Sequence, residues 1–581
     1  MSSSRTEDVL ASTQKPVEEE PYHLHTLETP AASGFLLIVL THAAEWIGWL
    51  GISHKIQSNS NAFVLRGKQI DEVPTVMPIP WWSSGEAIGR VESDKPPDTS
   101  VLNAYESQGV FPSALDFHEA YTKGRTTPTA VAERLLQSID EANRGREPPL
   151  LAIIKHSRDA ILQQAADSTQ RYACGKPLSP IDGVPVAVKD ELDALPYETG
   201  VGTAFLKLKP SADAHCVAKL RAAGAVIIGK TNMHEFGADV TNCNPSTGTP
   251  RNPYDVTRYT GGSSGGSGAG VAAGFCPLAV GADGGGSIRI PAAYNGVFGL
   301  KPTHGRVSGY GGFPLGPSVG VYGPIGATAY DLAFGYAIMA GRDEKDDLSL
   351  KQPAVTISSF GWTKDLTGVR LGIYQPYFKH CDPSIARQCY KFLDMIVSLG
   401  ATIHHIHLPN LEHYRVAHLN TIGNEMVQST SHLPRNKFSY PSRLMMAVLE
   451  QTVTAVDYIA AQRVRTKGMK MLKKVFDEVD AVVMPTAGIV APKVARGAEK
   501  VGVSDYTSSG KAMRFIFLAN FLGVPAVSFP AGYDQQSGMP VGLQFMSSWW
   551  NEDLLLRLAH ASEIALGKDR KRPDVFYDLL S

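Results

Sequence analysis

The 581-residue sequence has few of the features that mark disulfide-bonded, zinc-binding or nucleic-acid-binding proteins. Its six cysteines are scattered without a CxxC pair, which favours buried thiols in a reducing compartment over a disulfide framework. Charges nearly balance, with 55 Lys and Arg against 56 Asp and Glu, so we expect no nucleic-acid partner. The N-terminus has no basic region that leads into an apolar core, so we expect no secretory signal and an intracellular protein.

Motifs for phosphate, dinucleotide and metal binding are also missing or incomplete. The chain has no Walker sequence and no His-Glu-x-x-His helix. Gly268-Ala-Gly-Val-Ala-Ala273 fits a loose dinucleotide fingerprint, but no strand precedes it and Asp283 follows too early to bind a ribose. His404, His405 and His407 lie on one predicted strand without a nearby Cys, Asp or Glu to complete a metal shell. We therefore predict neither a cofactor nor a metal.

The N-terminal region lacks a run of apolar residues long enough to cross a membrane. Residues 1–33 are rich in Ser, Thr, Glu and Pro and predict a flexible tail. Residues 35–52 predict an amphipathic helix, because helical spacing places several apolar residues on one face: Leu36, Leu40, Ala43, Ile47 and Leu50. Thr41 and Glu45 lie on another face, and a central carboxylate argues against a transmembrane span. The helix would lie in a membrane interface or pack on the protein's own core or a second subunit.

Three regions of different composition follow one another along the chain. Residues 34–111 predict an N-terminal extension that consists of this helix and a proline-broken linker, and residues 112–581 predict the catalytic domain. In that domain, helix, glycine and strand recur in the same order. The predicted helices are Pro128–Ala142 with Thr127 as its cap, Asp213–Ala223, Ser384–Leu399 and Met513–Leu522; the strands that follow the last three are Ala225–Gly229, Ala401–Leu408 and Val524–Phe529. This alternation predicts an α/β sheet covered by helices.

Two loops rich in serine and glycine carry the strongest chemical signal. They are Gly261-Gly-Ser-Ser-Gly-Gly-Ser-Gly268 and Asp283-Gly-Gly-Gly-Ser-Ile-Arg289, downstream of Lys189-Asp190. Uncovered glycine amides can bind an oxyanion while a serine attacks. Lys189 ends the apolar strand Val184–Val188, and we expect burial to lower its pKa enough for it to act as a base.

One alternative is a Gly-x-Ser-x-Gly elbow centred on Ser263 or Ser264. That elbow should follow an apolar strand directly, and Asp255-Val-Thr-Arg-Tyr-Thr260 is a poor core strand. The two loops and the lysine together resemble the amidase signature family through Lys189-Asp190, Gly261–Ser267, Ala282–Pro291 and Gly299–Thr303. Within it the chain is most similar to plant-type fatty acid amide hydrolases, for example in Thr231-Asn-Met-His-Glu-Phe-Gly237.

The resemblance implies a fold and a set of roles. The fold is an α/β amidase signature fold, with a large twisted mixed sheet flanked by helices and an N-terminal helical extension. The implied catalytic residues are Ser287 as nucleophile, Ser263 as bridging serine with a cis peptide bond to Gly262, and Lys189 as base. The oxyanion-binding amides would be those of Gly284, Gly285, Gly286 and Ser287. Ser264, Asp283 and Arg289 would support them.

The resemblance also implies a substrate class and partners. Fatty acid amides such as N-acylethanolamines would be hydrolysed through an acyl-enzyme in an apolar channel, whose candidate wall residues are Met233, Phe236, Gly237 and the helix 513–522. A homodimer at the endoplasmic reticulum or plasma membrane is expected. Three alternatives remain open: a small-amide amidase, an amidotransferase-type amidase subunit, and a catalytically idle lipid-binding member.

Overall fold

The computed structural model describes residues 22–26, 28–29, 31–47, 51–83, 97–359 and 364–581. Predictions for residues 1–21, Leu50 and the linker part 84–96 lie outside these ranges. The described strands are β1 (Ala32–Ser33), β2 (Ile153–Lys155), β3 (Pro185–Lys189), β4 (Val226–Thr231), β5 (Arg251–Asn252), β6 (Asp255–Tyr259), β7 (Leu278–Asp283), β8 (Phe298–Lys301), β9 (Val321–Gly326), β10 (Arg370–Ile373), β11 (Thr402–His405), β12 (Ala481–Pro485), β13 (Val503–Ser504), β14 (Ala526–Tyr533) and β15 (Pro540–Ser547).

The helices alternate with these strands over most of the chain. They are α1 (Gly34–Ile47), α2 (Ile52–Asn59), α3 (Ala114–Thr122), α4 (Pro128–Arg144), α5 (Arg158–Ala173), α6 (His215–Ala222), α7 (Gly265–Ala272), α8 (Arg289–Tyr294), α9 (Ala329–Met339), α10 (Gln375–Phe378), α11 (Pro383–Ser398), α12 (Leu411–Thr430), α13 (Tyr440–Thr452), α14 (Ala455–Glu478), α15 (Ala498–Val501), α16 (Tyr506–Ala512), α17 (Phe517–Leu522) and α18 (Glu552–Leu566). Several short 3₁₀ helices complete the set of described helical elements.

Eleven of the described strands form one mixed sheet, in the order β11-β10-β12-β15-β14-β8-β9-β7-β3-β4-β2. Every residue of β3, β7, β8 and β9 is buried, so both faces of the sheet centre are covered, as expected for helices packed on each side. β3 and β7 are parallel neighbours with Val188 opposite Val280. Their carboxyl ends therefore meet at the same edge of the sheet. The prediction of a mixed α/β sheet flanked by helices is confirmed.

Most predicted helices of this domain occur with shifted ends. The Thr127 hydroxyl accepts a hydrogen bond from the Ala130 amide and caps α4 at the predicted position. The helix predicted over 513–522 is shorter, because Met513 to Ile516 form a separate turn and α17 begins at Phe517. The strand after it begins two residues late, at Ala526.

The N-terminal extension packs against the catalytic domain. β1 pairs with β13 in antiparallel fashion, and α1 packs on α13. Leu24 and Ala32 are buried, and Thr29 exchanges hydrogen bonds with Thr507. The prediction of a flexible tail is therefore wrong for the described residues between 22 and 33.

The predicted packing face of α1 is also wrong. The buried side chains are Leu37, Thr41 and Ala44, whereas Leu36 is half exposed. The Thr41 hydroxyl donates to Leu37 O at 2.8 Å, which satisfies this polar group inside the protein. Phe35, Val39 and Trp46 point outward with Leu36 and form the outer face of α1. Among the helices that the structure describes, none alone has the length and apolarity to span a bilayer, and by those two criteria only the sharply bent pair α13–α14 qualifies.

Candidate active site

Lys189 is the last residue of β3 and is 1% exposed. Its Nζ donates a hydrogen bond to Ser263 Oγ at 2.9 Å and lies 2.9 Å from Glu191 Oε2 and 3.5 Å from Ala282 O. These contacts join the end of β3 to the Ser263 loop and to Ala282 of β7. Asp190 contacts different lysines, at 3.0 Å from Lys155 and 3.4 Å from Lys230.

Ser263 lies in the loop between β6 and α7, and its peptide bond to Gly262 is cis, as the resemblance implied. A Cβ on Gly262 would lie 2.9 Å from Asn242 N and Asp239 O, so only glycine fits this close approach. The neighbouring Ser264 ties this loop to β7. Its hydroxyl donates to Ala282 O at 3.1 Å, and its amide donates to Ser287 O at 3.2 Å.

Ser287 lies in the turn between β7 and α8, which the Asp283 carboxylate holds together. Asp283 accepts hydrogen bonds from the amides of Gly286 at 2.7 Å and Ile288 at 3.1 Å. It also forms a fully buried ion pair with Arg289 at 3.1 Å. Burial opposes ionisation, yet Arg289 and the side-chain amide of Asn520 hold the pKa of Asp283 well below its ordinary value. Asp283 and Arg289 therefore fix the turn from beneath.

The turn offers three backbone amides to a ligand. In the described chain, the N–H groups of Gly284, Gly285 and Ser287 donate to no protein group, whereas the Gly286 N–H donates to Asp283. The prediction that Gly286 contributes an oxyanion-binding amide is therefore wrong in this structure. Gly286 has a φ of 95°, and a Cβ there would lie 2.5 Å from Ile516, so glycine is required for the turn itself.

Two cavities meet at Ser287. The first, of about 340 Å³, is lined by Lys189, Glu191, Ser263 and the turn residues Gly284 and Gly285. The second, of about 200 Å³, is mostly apolar, and its wall includes Ile56, Leu419, Ile422, Met445, Val448, Leu449 and Met513. Among the described contacts, the Ser287 hydroxyl makes no hydrogen bond to Ser263. The two serines line the same cavity, and the hydrogen bond from the Ser264 N–H to Ser287 O links their two loops.

The three candidate wall residues have different positions. Gly237 lines both cavities and Phe236 lines the first. Met233 is fully buried and lines neither of these two cavities, and its carbonyl oxygen accepts a hydrogen bond from the Asn244 side chain. In the predicted 513–522 segment, Met513 lines the second of these two cavities, and α17 packs against α12.

Two residues at the site were not predicted from the sequence. Glu191 is two residues beyond Lys189, and this alternation could have suggested a shared face. His418, on α12, lies with its Nε2 2.8 Å from Gly284 O. No local pattern marks it, because it is 134 residues away from its partner in sequence.

Known proteins are similar to this chain in sequence and in fold. The amidase family model matches residues 131–556. The fatty acid amide hydrolase of Medicago truncatula is 40% identical over 80% of this chain and 78% of its own length, and that of Arabidopsis thaliana is 35% identical over 96% of both. The crystal structure of the peptide amidase from Stenotrophomonas maltophilia aligns with a TM-score of 0.66 and 27% identity, over 80% of this chain and 98% of the amidase.

Proposed function

The chain belongs to the amidase family and is an amidase, and from that membership we propose that it hydrolyses fatty acid amides. The observation that carries the proposal is the apolar cavity that opens onto Ser287. An acyl chain buried there gains about 0.8 kcal/mol for each methylene removed from water. The similarity to plant fatty acid amide hydrolases supports the same substrate class, with N-acylethanolamines as the specific candidates.

The proposed reaction is acyl transfer to Ser287 followed by hydrolysis. Ser287 Oγ bonds to the amide carbonyl carbon, while its proton passes through the Ser263 hydroxyl to neutral Lys189. The amides of Gly284, Gly285 and Ser287 bind the oxyanion. The proton then returns to the nitrogen, the C–N bond breaks, the amine leaves, and water hydrolyses the acyl-enzyme. The 2.9 Å contact between Lys189 and Ser263 supports this relay.

The test uses ethanolamides with acetyl, octanoyl and palmitoyl chains. We expect kcat/KM to rise with chain length in the wild type. Lys189→Ala and Ser287→Ala should each lose at least about 10³-fold, as removal of a nucleophile or its base does in other serine hydrolases. Wild-type rates in either variant would contradict the relay.

Met445→Trp tests the role of the second cavity, because the larger ring fills part of its 200 Å³. We expect kcat/KM to fall for palmitoyl ethanolamide and to stay within about twofold for acetyl ethanolamide. Met395→Trp, on α11 and outside both cavity walls, is the matched control and should change neither value. An equal loss on both substrates in Met445→Trp, or equal wild-type rates on both, would contradict a fatty acyl subsite.

The outer face of α1 supports a second part of the proposal. Phe35 and Trp46 are about four-fifths exposed, with Leu36 and Val39 beside them. This face would dock peripherally on an intracellular membrane, the endoplasmic reticulum or the plasma membrane, where fatty acid amides dissolve. The double variant Phe35→Glu/Trp46→Glu should no longer float with phosphatidylcholine vesicles, and equal flotation of both proteins would contradict docking.

We also propose a homodimer, which the family resemblance in the sequence implied. Light scattering of the wild type should give twice the 62.6 kDa chain mass, and a monomer mass would contradict it. Light scattering of Phe35→Glu/Trp46→Glu tests whether the outer face of α1 contacts the membrane or the second subunit of the dimer. A shift to monomer without loss of flotation would assign the face to the dimer instead of the membrane.

A further inference from the structure

His418 contacts the Ser287 turn through the carbonyl oxygen of Gly284. It is on α12, is 3% exposed, and its Nε2 lies 2.8 Å from Gly284 O. A carbonyl oxygen only accepts hydrogen bonds, so Nε2 carries a proton and donates it. Burial lowers the pKa of His418 to about 4, so the ring is neutral near pH 7.

This contact fixes the orientation of a peptide group. The Gly284–Gly285 bond is trans, and in a trans peptide C=O and N–H point in opposite directions. Since Gly284 O points to His418, the Gly285 N–H points away from α12. It has no described protein acceptor, and Gly285 lines both cavities.

Asn520 has the same relation to the preceding peptide. Its Nδ2 donates to Asp283 O at 2.9 Å, which directs the Gly284 N–H the opposite way. Asn520 also binds the Asp283 carboxylate and Arg289, so a change there would disturb the whole turn. His418 makes the single described hydrogen bond to Gly284 O, which makes it the cleaner residue to test.

We propose that His418 is a positioning residue for the oxyanion-binding amides. Its hydrogen bond holds the Gly284–Gly285 peptide so that the Gly285 N–H faces the carbonyl oxygen of the substrate. Without that bond the peptide would rotate, because glycine tolerates a wide range of φ and ψ. The inference rests on the proposed role of Ser287 as nucleophile.

The test compares His418→Leu, which removes the donor, with His418→Gln, which keeps an N–H donor of similar reach. Loss of one oxyanion donor costs about 10²–10³ in kcat elsewhere, and we expect His418→Leu to lower kcat by roughly 10–100-fold. KM should stay within about twofold, because the contact acts on the transition state. Affinity for a trifluoromethyl ketone with the same acyl chain should fall in parallel with kcat, since it forms a tetrahedral adduct on Ser287. His418→Gln should recover most of the kcat and most of the ketone affinity that His418→Leu loses.

The control is His560→Leu on α18, which replaces another buried histidine whose pKa is lowered to about 4 and which lies outside both cavity walls. It should leave kcat and ketone affinity unchanged. Active sites are counted by the acyl-enzyme burst, so that unfolded protein does not enter kcat. The inference is overturned if His418→Leu keeps wild-type kcat, loses activity only through KM, or loses kcat with unchanged ketone affinity. Activity in Ser287→Ala would instead overturn the proposed mechanism.

Discussion

At the scale of single residues, the Asp283 carboxylate is the centre of the turn that carries Ser287. Its partner Arg289 has no exposed surface and also binds Gln544. We predict that Asp283→Asn lowers the free energy of unfolding by about 3–5 kcal/mol, because it leaves the Arg289 charge buried without a counter-charge. Amide hydrolysis should fall with it, since the Gly286 and Ile288 amides lose an ionised acceptor. Urea unfolding and kcat measure the two effects.

Asp480→Asn is the control for the Asp283 prediction. Asp480 pairs with Arg370 at 2.8 Å, and both side chains are at least about a third exposed. Solvent screens such a pair, so we expect a much smaller loss of unfolding free energy than in Asp283→Asn, and an unchanged kcat. Equal losses in the two variants would show that burial of the Asp283 pair adds nothing.

Single residues were predictable from sequence where a motif concentrates them. Ser263 and Ser287 stand beside glycine runs and Lys189 ends an apolar strand, and the structure brings all three to one cavity. Their catalytic roles stay predictions until the variants are measured. Gly286 was assigned to the oxyanion hole because sequence does not show which amides a nearby carboxylate occupies. His418 was missed because only the packing of α12 on the turn brings it there.

At the scale of elements, α1 shows why helical periodicity alone can select the wrong face. Periodicity assumes that apolar side chains share the buried face, and it places Thr41 and Glu45 on a different face. In the structure Glu45 pairs with Arg443 of α13, and Thr41 bonds within its own helix. Polar groups whose partners lie inside the protein can occupy a packing face, and such partners are not visible in the α1 sequence.

The packing of α1 gives a prediction about substrate preference. Ala44 is fully buried, and α1 packs on α13, which supplies Met445, Val448 and Leu449 to the apolar cavity. Ala44→Arg should displace α1 and loosen that wall, since a buried unpaired charge is costly. We expect kcat/KM for palmitoyl ethanolamide to fall by roughly tenfold, equivalent to about two methylene contacts, with little change for acetyl ethanolamide. Kinetics on both substrates measure this.

The control for that prediction is Val39→Arg on the outer face of the same helix. Val39 is 44% exposed, so an arginine there reaches solvent. In detergent solution this variant should leave kcat/KM unchanged for both substrates. A similar loss for the short substrate in Ala44→Arg would mean that α1 supports the catalytic turn and not the acyl cavity.

At the scale of the whole molecule, alternation of helix and strand predicted the fold class but not the strand order. The apolar run Val184–Val188 predicts β3, but the pairing of β3 with β7 depends on crossovers that bury both faces of the sheet. Antiparallel neighbours such as β7 and β9 carry no separate signal, because fully buried strands are apolar throughout. The pairing of β3 with β7 brings Lys189, at the end of β3, next to the turn after β7. The site therefore depends on a strand pairing that short-range sequence patterns do not encode.

At the same scale, histidines that are buried or half-buried in the described chain make the stability of the protein depend on pH. Burial lowers the pKa of His380, His418 and His560 to about 4 and that of His304 to about 3, against about 6.5 in an unfolded chain. Below pH 6.5 the unfolded state therefore binds more protons at these sites, and folded stability falls as pH drops towards 4. Burial acts in the opposite direction on three carboxyls, raising the pKa of Glu563 to about 7 and those of Asp331 and Asp382 above their ordinary values.

These four histidines outnumber the three acids, so we predict a net loss of stability on acidification. Each excess proton bound by the unfolded chain changes the free energy of unfolding by about 1.4 kcal/mol per pH unit, and urea unfolding should give a lower value at pH 5 than at pH 7. Glu563→Gln removes one opposing group, because a neutral amide replaces a carboxyl that the fold prefers protonated. The fall between pH 7 and pH 5 should then be steeper than in the wild type. A wild type more stable at pH 5, or a shallower fall in Glu563→Gln, would contradict this balance.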